Sequence, residues 1–172
     1  MARAAGVRTI SDLPGQVRAR SAEVGISSEP SCRAGSFFLL DDSVVTAASV
    51  GEEVEVMDLA EALERRTPAR DVAWTMVGSD LDRHTADVAS GPQHGVFIRA
   101  RPGARLTLPL QACMFLAREG SSQLVHNVVI AEAGSEVHLL TGCTAGYPVR
   151  SGRHVGITEI HVGESAVVTA TW

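Results

Sequence analysis

The sequence predicts a mainly β protein: a small α+β region at the N-terminus, then a run of β coils. Three observations carry this. From about residue 91 the chain is nearly all short alternating segments between glycine-bearing turns, with no helical periodicity. Within that half, IRARPGARLTL (98–108), VIAEAGSEVHL (129–139) and IHVGESAVVTA (160–170) align without gaps at a constant offset of 31 residues. Before residue 90, helix and strand signals alternate instead. The expected division is therefore 1–90 and 91–172.

The N-terminal elements follow in order. Residues 9–24 suit a short helix capped by Ser11 or Asp12, with Pro14 in its first turn and Gly25 ending it. SFFLLDDSVV (36–45) reads as a strand, a turn at Asp41 and Asp42, and a second strand. DLAEALERR begins at Asp58, with Glu61 at capping-box spacing, Leu59, Ala62 and Leu63 on one face, Arg65 and Arg66 at the C-terminal end, and Pro68 as the stop. DVAWTMV (71–77) reads as a strand. GSDLDRHTADVASGPQHG (78–95) reads as a long solvated connection; the spacing of Asp80, Asp82, His84 and Asp87 fits no metal loop.

In the repeats, apolar residues recur in register: Ile98, Val129 and Ile160, then Leu106, Val137 and Val168. The turn position is Gly103, Gly134 and Ser165. Alternation of this kind buries one face of each strand. A constant period with matching residue classes suits stacked equivalent coils, as in a β-helix or solenoid. An antiparallel sandwich or jelly roll satisfies the same local pattern, and periodicity alone does not choose between them.

Composition narrows the function. With 172 residues and 45% apolar content the chain is long enough for one real core, and a formal charge of −5 argues against a partner held through phosphate contacts. No run approaches the length of a membrane span, and the first residues lack the apolar core of a secretory signal, so a cytoplasmic protein is expected. Cys32, Cys113 and Cys143 are far apart and odd in number, which fits neither a disulfide framework nor a CxxC metal pair.

The least bland stretch is TGCTAGYPVRSGRHVGITE (141–159). Cys143 there suits a reactive thiol: Gly142 and Gly146 would allow close approach, and Arg150, Arg153 and His154 would lower the thiol pKa if they fold back over it. On the residues alone the better fit is a small buried residue in a coil turn. His154 and Glu159 are an odd number of steps apart, so on one straight strand they face opposite sides, and His154 alone beside Cys143 is the simpler arrangement. Glu159 then caps a coil edge or meets a partner. His126 and Asn127 suit a structural hydrogen-bonding pair at a strand start, with a metal role for His126 as the alternative. His138 and His161 should face solvent. Cys113, in LQACMFLA, belongs in the core, and nothing gathers around Cys32.

The run from GVFIRARPGARLTLPLQA through QLVHNVVIAEAGSEVHLLTGCTAGYPVRSGRHVGITEIHVGESAVVTATW resembles the SufB/SufD family of iron–sulfur cluster assembly proteins, its shorter archaeal-type members in particular. RAGSFFLLDD, EEVEVMDLAEAL and the His126–Asn127 dipeptide fit the same pattern. The resemblance implies a right-handed parallel β-helix for the C-terminal half. It implies a cytoplasmic, non-enzymatic scaffold with Cys143 as sulfur acceptor or cluster ligand, His154, Glu159 and His126 in support, and a transient iron–sulfur cluster or iron as cargo. The implied partners are a SufC-type ATPase and a second SufB/SufD-type subunit or copy. Family members usually continue with more coils and a C-terminal helical segment, so the chain reads as C-terminally truncated and lacking the usual ATPase docking segment. The alternative function is a β-helix interaction module without chemistry at Cys143. A β-helical hydrolase or lyase would need clustered carboxylates that the sequence does not show. In either of the first two readings, residues 157–172 are expected to pair with another copy, with Trp172 as anchor and Val168 in the pairing strand.

Overall fold

A computed structural model describes residues 9–65 and 68–172. The chain opens with a single 3-10 turn, Ile10–Asp12, and helix α1, Gly15–Ala22. Strands β1 (Gly35–Leu40), β2 (Ser43–Ser49) and β3 (Val54–Asp58) follow, then helices α2 (Leu59–Glu64), α3 (Ala69–Val72) and α4 (Arg83–Ser90). The remainder is strand and turn: β4 (Val96–Ala100), β5 (Leu110–Leu116), β6 (Ser122–Ala131), β7 (Glu136–Ala145), β8 (Arg153–Val162) and β9 (Val167–Thr171).

The strands form two sheets, ordered β2-β1-β5-β7-β9 and β3-β4-β6-β8. From β4 onward the chain crosses from one sheet to the other at every strand, and each strand pairs in parallel with the strand two further on. The expected register is observed: Ile98 pairs with Val129, Val129 with Ile160, and Val137 with Val168. These parallel ladders between successive coils rule out a purely antiparallel sandwich. The turn position also behaves alike in all three repeats, with Gly103, Gly134 and Ser165 all at positive φ (71°, 69° and 56°). Both sheets run back across residue 90: β1 pairs in parallel with β5, and β3 is antiparallel to β4.

Alternation places one set of side chains between the sheets. Phe37, Leu39, Val56, Ile98, Leu110, Met114, Val129 and Leu139 fill that space in the upper coils. The outer face of the first sheet is covered by the N-terminal segment, where Ile10, Leu13, Val17 and Ile26 pack on Phe38, Cys113 and Phe115. The outer face of the second sheet carries α2 and α3, with Leu59, Ala62 and Ala69 on Phe97 and Val128.

Several local expectations change. The N-cap of α1 is Pro14, while Asp12 serves the 3-10 turn by accepting from the backbone N–H of Thr9 (3.0 Å). Gly25 is left-handed at φ 82°, as the end of that segment requires. Asp58 stands at the N-cap of α2, but its carboxylate turns away to His94 Nδ1 (2.9 Å) and the N–H of Gly95 (3.2 Å). Arg66 lies outside the described residues. Residues 71–77 form no strand: α3 ends at Val72, and Trp74 takes φ 63°. Residues 83–90 form α4, for which Asp82 is a true N-cap, accepting from the N–H groups of His84 (2.7 Å) and Thr85 (2.9 Å). Asp82 and Asp87 are thus already engaged, Asp87 in an ion pair with Arg153 (2.6 Å).

Candidate functional site

The residues singled out in the sequence separate onto the two faces of the second sheet. The odd step between His154 and Glu159 puts His154 between the sheets and Glu159 on the outer side, with no bulge in the β6–β8 register to bring them together.

Between the sheets, the core pattern fails at the last coils. Where Leu139 and Ile160 continue inward, the next inward positions are Thr141 and Cys143 on β7, and Thr158, Gly156 and His154 on β8. With Met114, Asn127 and Trp172 they line an open cleft of about 340 Å³. Asn127 braces its floor: its Oδ1 accepts from the N–H of Val96 (3.0 Å) and its Nδ2 donates to Thr158 Oγ1 (3.2 Å), so one side chain ties three coils of the second sheet. His154 Nδ1 lies 2.9 Å from Oε1 of the buried Gln123, its register partner on β6. Burial lowers the pKa of His154, which favours the neutral ring.

Cys143 opens into this cleft beside Met114. Desolvation raises its pKa, and among the described residues no cation offsets that. Neither Arg150 nor Arg153 lines the cleft: Arg153 is committed to Asp87, and Arg150 is exposed. The thiol is therefore protonated at neutral pH, and it needs a base or a metal to become a nucleophile or ligand. The glycine before it serves the opposite face: a Cβ on Gly142 would stand 2.8 Å from Val24 and 3.1 Å from Ile26, so this position lets the N-terminal segment pack against β7. Cys113 lies in the core, where burial pushes its thiol up to about 12, while Cys32 is exposed in a surface turn.

On the outer face, His126 and Glu159 form a fully buried pair at 2.7 Å. Asn127 points the other way, so the expected His126–Asn127 pairing does not occur. The Glu159 carboxylate also accepts the backbone N–H groups of Trp74 (2.6 Å), Met76 (2.7 Å) and Val77 (3.1 Å). Here lies the physical reason that residues 71–77 are no strand: three of their donors point at one carboxylate, and those of Asp71, Ala73 and Thr75 close local turns, so none runs along a ladder. Desolvation would raise the Glu159 pKa, but these three donors and His126 together bring it below the ordinary value. Burial dominates at His126 and lowers its pKa. The ring is then neutral, with Nε2–H donating to Glu159 and a buried Nδ1 that has no partner among the described residues. The Trp74 indole lies tilted against this ring, at 4.1 Å between centroids and 36° between planes, and donates to Gln93 Oε1 (3.2 Å). Glu159 is thus an anchor for the 73–77 strap rather than a coil-edge cap. Of the other histidines, His138 is exposed as expected and meets Thr171, whereas His161 is half-buried and its Nε2 has no partner among the described residues.

Trp172 lies at the cleft rim, 67% exposed, and Val168 packs inward with Val137. Sequence reasoning missed Gln123 and Trp74. Gln123 was reachable, since it stands one 31-residue period before His154; Trp74 carries no periodic signal.

The fold and site together define a class: a mainly β protein of two mixed sheets, with a thiol and an imidazole facing one cleft between them. No family model matches the chain. Curated relatives do. An iron-sulfur cluster assembly SufBD family protein of Methanothermobacter thermautotrophicus is 39% identical over 164 residues, 93% of this chain and 40% of the relative. One from Archaeoglobus fulgidus is 38% identical over 152 residues, 88% of this chain and 41% of the relative. The Pyrococcus horikoshii protein of the same name is 35% identical over 77 residues, 45% of this chain. Over the residues it shares with them, this chain belongs to the SufBD family. It spans about two-fifths of the length of the first two relatives.

Proposed function

We propose that this chain is a scaffold component of iron–sulfur cluster assembly, with Cys143 as the residue that accepts sulfur or ligates iron and His154 as its companion across the cleft. One observation carries this: Cys143 and His154 converge, with threonines and an asparagine, on a space between the sheets that the coil pattern would otherwise fill with apolar side chains. The names of the relatives support the same role. Sulfur acceptance balances simply. The Cys143 sulfur attacks the outer sulfur of a donor persulfide, an S–S bond forms as the donor's breaks, and the thiol proton passes by way of His154 to the departing donor thiolate. The cargo passes through without turnover, so the role is that of a scaffold rather than an enzyme.

The same reading completes the architecture as a right-handed parallel β-helix, supported by the alternation between sheets and the 31-residue parallel register. It places the protein in the cytoplasm with a SufC-type ATPase and a SufB/SufD-type sibling as partners. Anaerobic reconstitution with iron and sulfide tests it. The parent should develop a visible chromophore, and Cys143→Ser should lose it while melting within a few degrees of the parent, because an exposed Cys-to-Ser change costs under about 1 kcal/mol. A Cys143→Ser protein with a parental chromophore would refute the thiol assignment.

A second reading, an interaction module without chemistry at Cys143, is favoured by Val162, Val167 and Trp172, all exposed along the terminal strands of the two sheets. It predicts association with no chromophore in either protein.

A further inference from the structure

Two consecutive hydrogen bonds decide which proton form the cleft imidazole adopts. The backbone carbonyl of Asp41, in the turn between β1 and β2, can only accept. The buried Gln123 amide places Nε2 2.7 Å from that oxygen, which fixes the amide with its NH₂ toward Asp41. Gln123 Oε1 must then face His154 Nδ1, at 2.9 Å. An amide oxygen also only accepts, so Nδ1 carries the proton. In the neutral ring Nε2 is consequently a bare lone pair. That nitrogen lies over Gly156, close enough that a Cβ there would stand 3.2 Å from it. Gly156, His154 and Cys143 all line the cleft.

We propose that Gln123 is a positioning residue: it holds His154 as the Nδ1–H tautomer, so that Nε2 is presented as a lone pair to the cleft containing Cys143. The functional meaning rests on the reading of that cleft given above. A lone pair at Nε2 can take up the proton of the Cys143 thiol or bind a borderline-soft divalent ion; an N–H there can do neither. An outer hydrogen-bond partner that fixes the ring in this way is the usual device for orienting a metal-binding imidazole. Asp41 anchors the arrangement, because its own carboxylate is held by the N–H groups of Ala117 (2.8 Å) and Arg118 (3.2 Å).

The test reads the tautomer directly. Two-bond ¹H–¹⁵N correlation spectra of the metal-free chain, with the His154 signals assigned by their loss in His154→Asn, should show Nδ1–H in the parent. Gln123→Met should shift His154 toward Nε2–H, the form an unconstrained imidazole prefers. Gln123→Glu, which loses the donor to Asp41 but retains an acceptor for Nδ1, should keep Nδ1 protonated. Anaerobic cobalt(II) titration should show a thiolate-to-metal absorption in the parent, weakened about tenfold or more in Gln123→Met and absent in Cys143→Ser. A parental Nε2–H tautomer, or an unchanged tautomer in Gln123→Met, overturns the inference. The expected tautomers with no cobalt binding in the parent would sustain the role of Gln123 and overturn the reading of the cleft instead.

Discussion

At the scale of single residues, the pair that matters most for structure is on the opposite side of the sheet from the thiol. Glu159 gathers three backbone donors and His126 at one buried carboxylate. Both groups are held in the forms that acid removes. Glu159 has a folded pKa below its ordinary 4.5, so its contribution is present above that pH and is lost as the pH falls through the folded value. His126 has a folded pKa below 6.5, so stability falls as the pH drops from 6.5 toward the folded value, because only the unfolded chain binds the proton there. His94 has the opposite sign: paired with Asp58 its pKa is raised, and its contribution is lost as the pH rises through the folded value. With Trp172→Phe leaving Trp74 as the sole indole, acidification below about pH 6.5 should change the Trp74 emission before global unfolding. Glu159→Ala should show that loosened emission already at pH 7 and cost about 3 kcal/mol, since it strands the buried His126 and three part-buried backbone donors. A Trp74 signal indifferent to both changes would mean that Glu159 does not hold the strap.

At the scale of elements, the repeat turns explain both what the sequence reveals and what it hides. Ile98, Val129 and Ile160 announce their own register because a parallel ladder stacks like on like, so a period in the sequence is a contact in the structure. The turn residues follow the same rule, and they expose one weak link. Gly103 and Gly134 adopt positive φ without penalty, whereas Ser165 takes φ 56° with a Cβ. Ser165→Gly should stabilise the chain by about 0.5 kcal/mol, the relief of left-handed strain less the entropy glycine adds to the unfolded state. That is a rise of about 1–2 °C in the melt; a fall would show that Ser165 is held by a contact its backbone does not reveal. The elements that sequence reasoning misread are the ones governed by distant partners. Residues 71–77 have strand-forming side chains, but three of their N–H groups go to a carboxylate more than eighty positions away. Helix α4 has a polar surface and was masked by its loop-like composition, although Asp82 and Thr85 form a capping box. The cleft was half legible: Cys143 and His154 stood out as residue types, whereas Gln123, which orients His154, is visible only once the 31-residue period is carried back by one coil.

At the scale of the whole molecule, the two sheets share one sparsely covered end. Among the described residues β8 and β9 are the terminal strands of their sheets, each with a partner on one side. Side chains there are far less covered than in earlier coils: β5 is buried at all seven positions, whereas β9 has no fully buried residue. Val162, Val167 and Trp172 are more than half exposed, and Trp172 also borders the cleft that holds Cys143. Free strand edges beside exposed apolar side chains favour pairing with another chain, and an isologous contact about a two-fold axis closes where a head-to-tail one would propagate. The 172-residue chain should therefore scatter light as a dimer at micromolar concentration, joined through residues 157–172. Such a contact would cover the mouth of the cleft from Trp172, so thiol alkylation at Cys143 should slow as protein concentration rises, while Cys32 should alkylate at an unchanged rate. Trp172→Asp should weaken the dimer and make Cys143 alkylation independent of concentration. A monomer at tens of micromolar, with β8 and β9 amides protected from exchange, would rule this contact out.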